Sequence, residues 1–225
     1  ASMAVIIAMP AIVLVQIAVE YWQSMYGQRG YLTMTVPVRG RVLFTAKALY
    51  ACALALGAGA LDLAGLVAWF AALAHATGTT LGEVLAPLRD ALTVGGPGPA
   101  LATFFIVSSL VGLLTVIVEI GAVMSIGAQG RFNHLDIGAP LIGIVLLYVG
   151  NQVLGLASTL LLPVSLDITT GDVVARMMLS QFLETFRTGV QPTVIGMGSV
   201  VVGPLLAGVL AWWAVRAIER HTCLR

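Results

Sequence analysis

Five long runs of apolar residues dominate the sequence and restrict what it can fold into. They cover residues 3–21, 48–76, 100–126, 137–163 and 193–215. A helix needs about 20 residues to cross the hydrocarbon core of a bilayer, which is about 30 Å thick. The runs reach that length and lack the ~10-residue alternation of membrane-barrel strands. The sequence therefore predicts an all-α polytopic membrane protein, with a single transmembrane domain over residues 1–225.

Composition supports this class of protein. Hydrophobic residues make up 59% of the chain and charged residues only 9%, whereas a soluble domain carries about 25% charged residues. Most of the protein surface must therefore face membrane lipids. No basic stripe is dense enough to predict nucleic-acid binding, and no spacing of Cys and His residues predicts a metal site.

The distribution of Lys and Arg predicts the orientation, because cytoplasmic connections are enriched in these residues. Eight of the 11 basic residues lie on one side, namely Arg29, Arg39, Arg41, Lys47, Arg131, Arg216, Arg220 and Arg225. We therefore expect a multi-pass protein of a bacterial cell membrane, with its C-terminus in the cytoplasm and residue 1 outside. Because the first run lacks the basic start of a signal peptide, we also expect a further helix upstream of residue 1, either cleaved or unresolved.

Two connections on the opposite side have their own patterns. Thr79 or Thr80, with Glu83 in the first turn, predicts the capped start of a short helix. The segment 165–190 is amphipathic, with apolar residues at near-helical spacing: Val173, Val174, Met177, Met178, Phe182 and Phe186. We expect it to lie in the outer membrane interface or to be re-entrant. Its apolar stripe then faces lipid or, alternatively, forms a substrate lid.

Catalytic motifs are absent from the sequence. It contains no P-loop, no G-x-S-x-G turn and no H-E-x-x-H pair. We therefore predict no catalytic residues and no enzymatic activity of this chain by itself.

Residues 26–47 join the first two apolar runs and contain the passage GYLTMTVPVRGRVLFTAK. Pro37 prevents a continuous helix, and helical character resumes after it. This pattern predicts a short rigid element on the cytoplasmic side, which can receive a push from a partner and pass it to two spans.

At these residues the chain resembles the first cytoplasmic loop of ABC-2-type transporter permease subunits. The matching residues are Gly30, Tyr31, Leu32, Thr33, Thr35, Pro37 and Val38. The order of spans, the amphipathic segment before the last span and the short basic tail also resemble the family. Where the family commonly has Ser after the Pro-Val pair, this chain has Arg39.

The resemblance implies a six-helix, type V exporter-like permease in which these seven residues and Arg39 form a coupling helix. Two cytoplasmic ATPase subunits, which bind ATP and Mg, would dock there, and a second permease, identical or homologous, would complete the complex. The permease itself would bind no cofactor. It would export a lipophilic, drug-like, peptide or lipid substrate. For Arg39, Arg41 and Lys47 a purely topological role stays open.

Four polar residues within the apolar runs are candidates for a translocation path: Asp62, Glu119, Asn151 and Gln152. A charge at the centre of a span costs at least about 2.5–3.5 kcal/mol, so it must face protein or water or be protonated. Structural hydrogen bonds between helices are the alternative, since Ala51, Ala55 and Gly59 form a small-residue face beside Asp62. Two further functions stay open: a proton-linked secondary transporter that uses Asp62 or Glu119, and a non-transporting scaffold or sensor subunit.

Overall fold

The computed structural model describes residues 2–27, 30–35, 37–93, 96–135 and 138–220. Seven side chains within these ranges lie outside the description: Ser2, Tyr31, Met34, Thr93, Arg131, Asn133 and His134. Arg29 and Arg225, two basic residues of the orientation argument, also lie outside the described ranges.

Helices account for most of the described chain. They are α1 (Ser2–Met25), α2 (Gly30–Thr35), α3 (Gly40–Thr77), α4 (Leu81–Thr93), α5 (Gly98–Gly127), a 3₁₀ segment (Gly130–Leu135), α6 (Gly138–Leu161), α7 (Met178–Thr188) and α8 (Gly198–Arg220). Within the described ranges, α1, α3, α5, α6 and α8 are long and apolar enough to cross a membrane. The prediction of five membrane-spanning helices is confirmed at this level.

Helix α3 is longer than the apolar run that predicted it. It begins at Gly40 and contains 38 residues, which corresponds to a length of about 57 Å. The hydrocarbon core is only about 30 Å thick. A substantial part of α3 must therefore lie outside the core.

The chain forms two compact units. Unit 1 contains Ala1–Thr77, Leu113–Leu147 and Ala207–Arg225, and unit 2 contains Gly78–Gly112 and Tyr148–Leu206. In unit 1, α1 packs along α3, where Ile17, Ala51, Ala55 and Ile117 form a buried apolar cluster. Small residues at 51 and 55 permit this close approach between helices.

Unit 2 contains a small antiparallel sheet that the sequence did not predict. Its strands are β1 (Ser165–Asp167), β2 (Val173–Val174) and β3 (Val194–Gly196), in the order β2-β1-β3. Ser165 pairs with Val174 and with Gly196. The predicted helical pattern was wrong for its first two residues, because Val173 and Val174 lie in a strand and α7 begins only at Met178.

The predicted start of α4 is confirmed. The backbone N–H of Thr80 donates to Glu83 Oε2 at 2.8 Å, and the backbone N–H of Glu83 donates to Thr80 Oγ1 at 3.3 Å. These reciprocal bonds form a capping box, which satisfies backbone donors that have no partner within the helix.

Candidate functional site

One serine at the end of α1 connects three helices of unit 1. The carbonyl of Ser24 is among the last four of α1, which lack partners within the helix. Thr33 of α2 donates its hydroxyl proton to this carbonyl at 2.8 Å. Lys47 of α3 donates from Nζ to the Ser24 hydroxyl, also at 2.8 Å. We call Ser24, Thr33 and Lys47 the Ser24 junction.

The charge of Lys47 is favourable at this position for a second reason. The carboxyl end of a helix carries a partial negative charge, and a cation beside the last turn stabilises it by about 0.3–1 kcal/mol. The Ser24 hydroxyl also donates to the carbonyl of Tyr21 at 3.3 Å. The junction therefore provides partners for the last turn of α1 while holding α2 and α3 against it.

A second set of hydrogen bonds ties α1 to α5. The hydroxyls of Tyr21 and Ser125 lie 2.7 Å apart, and the Ser125 hydroxyl donates to the carbonyl of Gly121 at 2.8 Å. Because that hydroxyl has only one proton, Tyr21 is the donor to Ser125. Both side chains are buried, where hydrogen bonds to satisfied partners hold a fixed geometry.

Tyr26 completes this buried aromatic corner just beyond the end of α1. It is 3% exposed, and its ring centroid lies 6.4 Å from that of Tyr21 and 5.3 Å from that of Trp22. Burial raises the pKa of the Tyr26 hydroxyl well above its usual value. Tyr26 packs in one buried cluster with Tyr21 and Met25 of α1, Phe44 of α3 and Ala122 of α5.

The residues predicted to form the coupling helix separate into an inner and an outer set. Gly30 is buried and Thr33 is half-buried at the Ser24 junction. The outer set, which we call the exposed patch, consists of Leu32, Thr35, Pro37, Val38 and Arg39. Leu32 is 76% exposed and Val38 is 46% exposed. The predicted side chain of Tyr31 lies outside the described residues.

The exposed patch borders an open cleft of about 360 Å³, whose lining residues are Thr33, Val38, Arg39, Gly40, Leu43, Ile218 and Glu219. The last two belong to the final turn of α8. Gly40 permits this approach of α3 and α8, because a methyl group at Gly40 would lie 2.7 Å from Glu219 Cγ. The end of α8 therefore forms one wall of the site, which the sequence analysis did not predict.

The four polar candidates within the spans have different surroundings. Asp62 of α3 is half-buried, and Glu119 of α5 is 1% exposed. In unit 2, Asn151 is half-buried and Gln152 is exposed. The small-residue face beside Asp62 is buried at Ala51 and Ala55, but Gly59 is exposed. Across the described chain, no group of three or more His, Cys, Asp or Glu residues is placed to hold a metal ion.

Several residues that organise the site were not singled out from the sequence, above all Ser24, Tyr21 and Ser125. Their only sequence signal is that polar side chains recur at the same ends of neighbouring spans. Such residues are common at membrane boundaries, so this signal does not reveal which of them are in contact.

Comparison with known proteins adds no relative to this description. No protein-family model, no curated protein and no solved structure matches the chain.

Proposed function

We propose that this chain is the membrane-spanning permease subunit of an ATP-binding cassette transporter, an exporter energised by a separate cytoplasmic ATPase. One observation carries the proposal. Helix α2 lies between two spans: its Thr33 is hydrogen-bonded to Ser24 of α1, and Lys47 of α3 is hydrogen-bonded to the same serine. Its exposed residues, with those that follow it, form the exposed patch. An element built in this way is suited to receive force from a bound protein.

The chemistry of the patch indicates what would bind it. Leu32, Pro37 and Val38 provide apolar surface, and Arg39 lies at its edge. Protein interfaces commonly have an apolar centre surrounded by a polar rim. A single exposed leucine needs no explanation, but three apolar residues on a short, anchored element support a docking role. The matching surface of the ATPase would have an apolar pocket with an acidic edge.

The contacts also supply a route for the motion. A displacement of α2 would reach Ser24 of α1 through Thr33. From α1 it would reach α3 through the bond between Ser24 and Lys47, and α5 through the Tyr21–Ser125 bond. Each bond contributes only about 1 kcal/mol. The bonds therefore keep the helices aligned, while packing between side chains transmits the force.

In the proposed complex, α2 faces the cytoplasm of a bacterial cell. Two ATPases bind ATP and Mg, and their closure drives this permease and a second, identical or homologous one between inward-open and outward-open states. The cargo would be a lipophilic, drug-like, peptide or lipid substrate, as the resemblance of residues 30–39 to the ABC-2 permeases implies.

The test is to purify the chain from its native membrane in mild detergent and to identify a co-purifying P-loop ATPase by mass spectrometry. Leu32→Glu places a charge in the exposed patch and should weaken ATPase binding by at least about tenfold, equivalent to about 1.4 kcal/mol. Leu135→Glu is the matched control. Leu135 is also an exposed leucine in a short helical segment outside the spans.

Two results would count against the proposal. One is a purified complex that contains no nucleotide hydrolase, which would favour a scaffold or sensor subunit. The other is equal ATPase binding by the Leu32 and Leu135 variants, which would place the docking surface elsewhere.

A second candidate function rests on Glu119, whose burial within α5 is unusual for a carboxyl group in a span. Intramembrane ionisable residues commonly belong to ion or proton pathways. In a proton-linked transporter, the purified chain alone would move substrate across vesicles under a proton gradient, and Glu119→Gln would abolish that movement. An ATPase-dependent permease would be inactive in the same vesicles.

A further inference from the structure

Helix α7 in unit 2 has three distinct faces. Residues 178, 181 and 185 share one face, as expected for helical spacing. This face lies against the sheet, because Gln181 Oε1 accepts a hydrogen bond from the backbone N–H of Thr193 at 3.0 Å. The backbone N–H of Gly196 also lies 3.5 Å from the Met178 sulfur. These contacts fix the rotation of α7 about its axis.

The second face is apolar and exposed. It contains Phe182, Leu183 and Phe186, which are 42%, 52% and 75% exposed, and Leu179, which is half-buried at its edge. The two phenylalanine rings contact each other edge to face, with centroids 4.9 Å apart. The third face is polar and consists of Ser180, Glu184, Arg187 and Thr188. The rotation set by the sheet therefore leaves a continuous apolar face uncovered, which we call the α7 apolar face.

The sheet lies directly on the ends of two spans. β1 begins four residues after α6 ends, and β3 ends two residues before α8 begins. A methyl group on Gly196 would overlap the carbonyl oxygen of Thr159, and one on Gly198 would overlap that of Ser158. β3 and the start of α8 are therefore in backbone contact with the last turn of α6.

These contacts limit the distance between α7 and the membrane. Helix α7 is bonded to β3, and a helix with its side chains is about 10–12 Å wide. The headgroup region on each side of the hydrocarbon core is about 5–8 Å thick. The α7 apolar face is therefore within reach of the boundary between headgroups and acyl chains. The ends of these two spans also carry exposed apolar residues, namely Leu161, Val201 and Leu205.

We propose that the α7 apolar face binds the lipid surface, with Phe182, Leu183 and Phe186 inserted at the headgroup–acyl boundary. Lipid is the occupant that the observations favour, because α7 is held on a sheet that lies against the ends of α6 and α8, two spans whose exposed apolar residues lipid must cover. Glu184 and Arg187 on the neighbouring face can reach headgroups, as in other interfacial amphipathic helices. This inference requires the spans but not the transporter function.

The experiment uses nitroxide spin labels on the purified full chain, reconstituted in phosphatidylcholine vesicles. Cys52→Ala and Cys223→Ser remove the native thiols. Phe186→Cys then provides a label on the α7 apolar face, and Ser180→Cys provides the matched label on the polar face of the same helix. We expect the ratio of collisions with oxygen, which partitions into lipid, to collisions with a water-soluble nickel complex to be several-fold higher at position 186 than at position 180.

Leu183→Cys gives a second label on the same face and should behave like Phe186→Cys, so that the test survives a folding failure at either position. Equal nickel accessibility on the two faces would overturn the inference, because α7 would then lie in water. Shielding of position 186 from both reagents, with dipolar broadening between labels, would also overturn it by showing that a second copy of the chain covers the face. Shielding of position 186 that appears only when substrate is present would also overturn the inference, because α7 would then be a substrate lid.

Discussion

Helices α2 and α7 lie outside the spans, one in each unit. They differ in how they are held and in which residues they leave exposed. α2 has six residues and is held by polar bonds at the end of α1. α7 has eleven residues and is held against a sheet. α2 exposes a small patch of mixed character, whereas α7 exposes a continuous apolar face.

The difference shows that anchorage alone does not identify the partner. Both helices are fixed by side-chain to backbone hydrogen bonds that set their rotation. What they then leave exposed differs: apolar residues beside Arg39 in the first case, and two paired phenylalanines with two leucines in the second. A protein can match the mixed patch, while lipid needs no such match to cover the apolar face.

The largest effect that we expect concerns the support beneath α7. Gly198→Ala should destabilise unit 2 by about 1–3 kcal/mol or more, because the new methyl group overlaps the backbone of α6, which cannot move without disturbing a helix. Hydrogen exchange should accelerate in β3 and α7 and stay unchanged in α2. Exchange measured by mass spectrometry in detergent checks both statements.

The control for this change lies in the same helix. A methyl group placed on Gly208 would meet no described atom within 4 Å apart from the neighbouring backbone of its own helix. Gly208→Ala should therefore leave stability unchanged or raise it by up to about 1 kcal/mol through helix propensity. Equal damage by the two substitutions would show that the contact between α6 and the start of α8 does not support the sheet.

A smaller effect is expected at the Ser24 junction. Thr33→Val keeps the side-chain shape but removes the bond to the Ser24 carbonyl, which should cost about 1 kcal/mol and raise amide exchange in α2 about fivefold. Thr35→Val is the matched control, since the Thr35 hydroxyl bonds within α2, to the carbonyl of Leu32, and to no other helix among the residues that the structure describes. If the two variants exchanged alike, the junction would not hold α2 in place.

The smallest effect concerns the turn after β1. Asp167 Oδ1 accepts hydrogen bonds from the backbone N–H and the hydroxyl of Thr169, and these bonds lower the pKa of the Asp167 carboxyl. A lowered pKa in the folded state means that the carboxylate stabilises the turn at neutral pH. This stabilisation is lost only as the pH falls through the lowered pKa.

Nuclear magnetic resonance of chain labelled with ¹³C at the aspartate carboxyl carbon measures this titration, with Asp167→Asn to assign the signal. The midpoint should lie below about 3.9, the ordinary value for Asp. A midpoint at or above that value would show that the turn is not formed in solution.

The sequence predicts those parts of the fold that depend on long or strictly local patterns. The five spans follow from apolar runs, and the start of α4 follows from the three-residue spacing of Thr80 and Glu83. The sheet could not be predicted, because strands of two or three residues are too short to show an alternating pattern. The early start of α3 also follows from a local pattern, because helical character was expected to resume after Pro37, and α3 begins at Gly40.

For the candidate site, the resemblance of residues 30–39 to a coupling helix pointed to this segment. It did not predict how the segment is held against α1 and α3. Thr33 is nine residues from Ser24 in sequence, and Lys47 is 23 residues away. The sequence offers a simpler explanation for Lys47, namely membrane orientation, so its contact becomes visible only in three dimensions. The wall formed by Ile218 and Glu219 is hidden for the same reason.

The length of α3 has a mechanical consequence. A continuous helix of 38 residues behaves as a rod about 57 Å long. Lys47 near its start is hydrogen-bonded to Ser24 of α1, the residue whose carbonyl also accepts a bond from Thr33 of α2. If this rod tilted by roughly 5° about its midpoint, each end would move by about 2.5 Å. A small displacement of the first turn of α3 would thus produce an equal displacement of its last turn in the opposite direction. The backbone between the two ends would not need to bend.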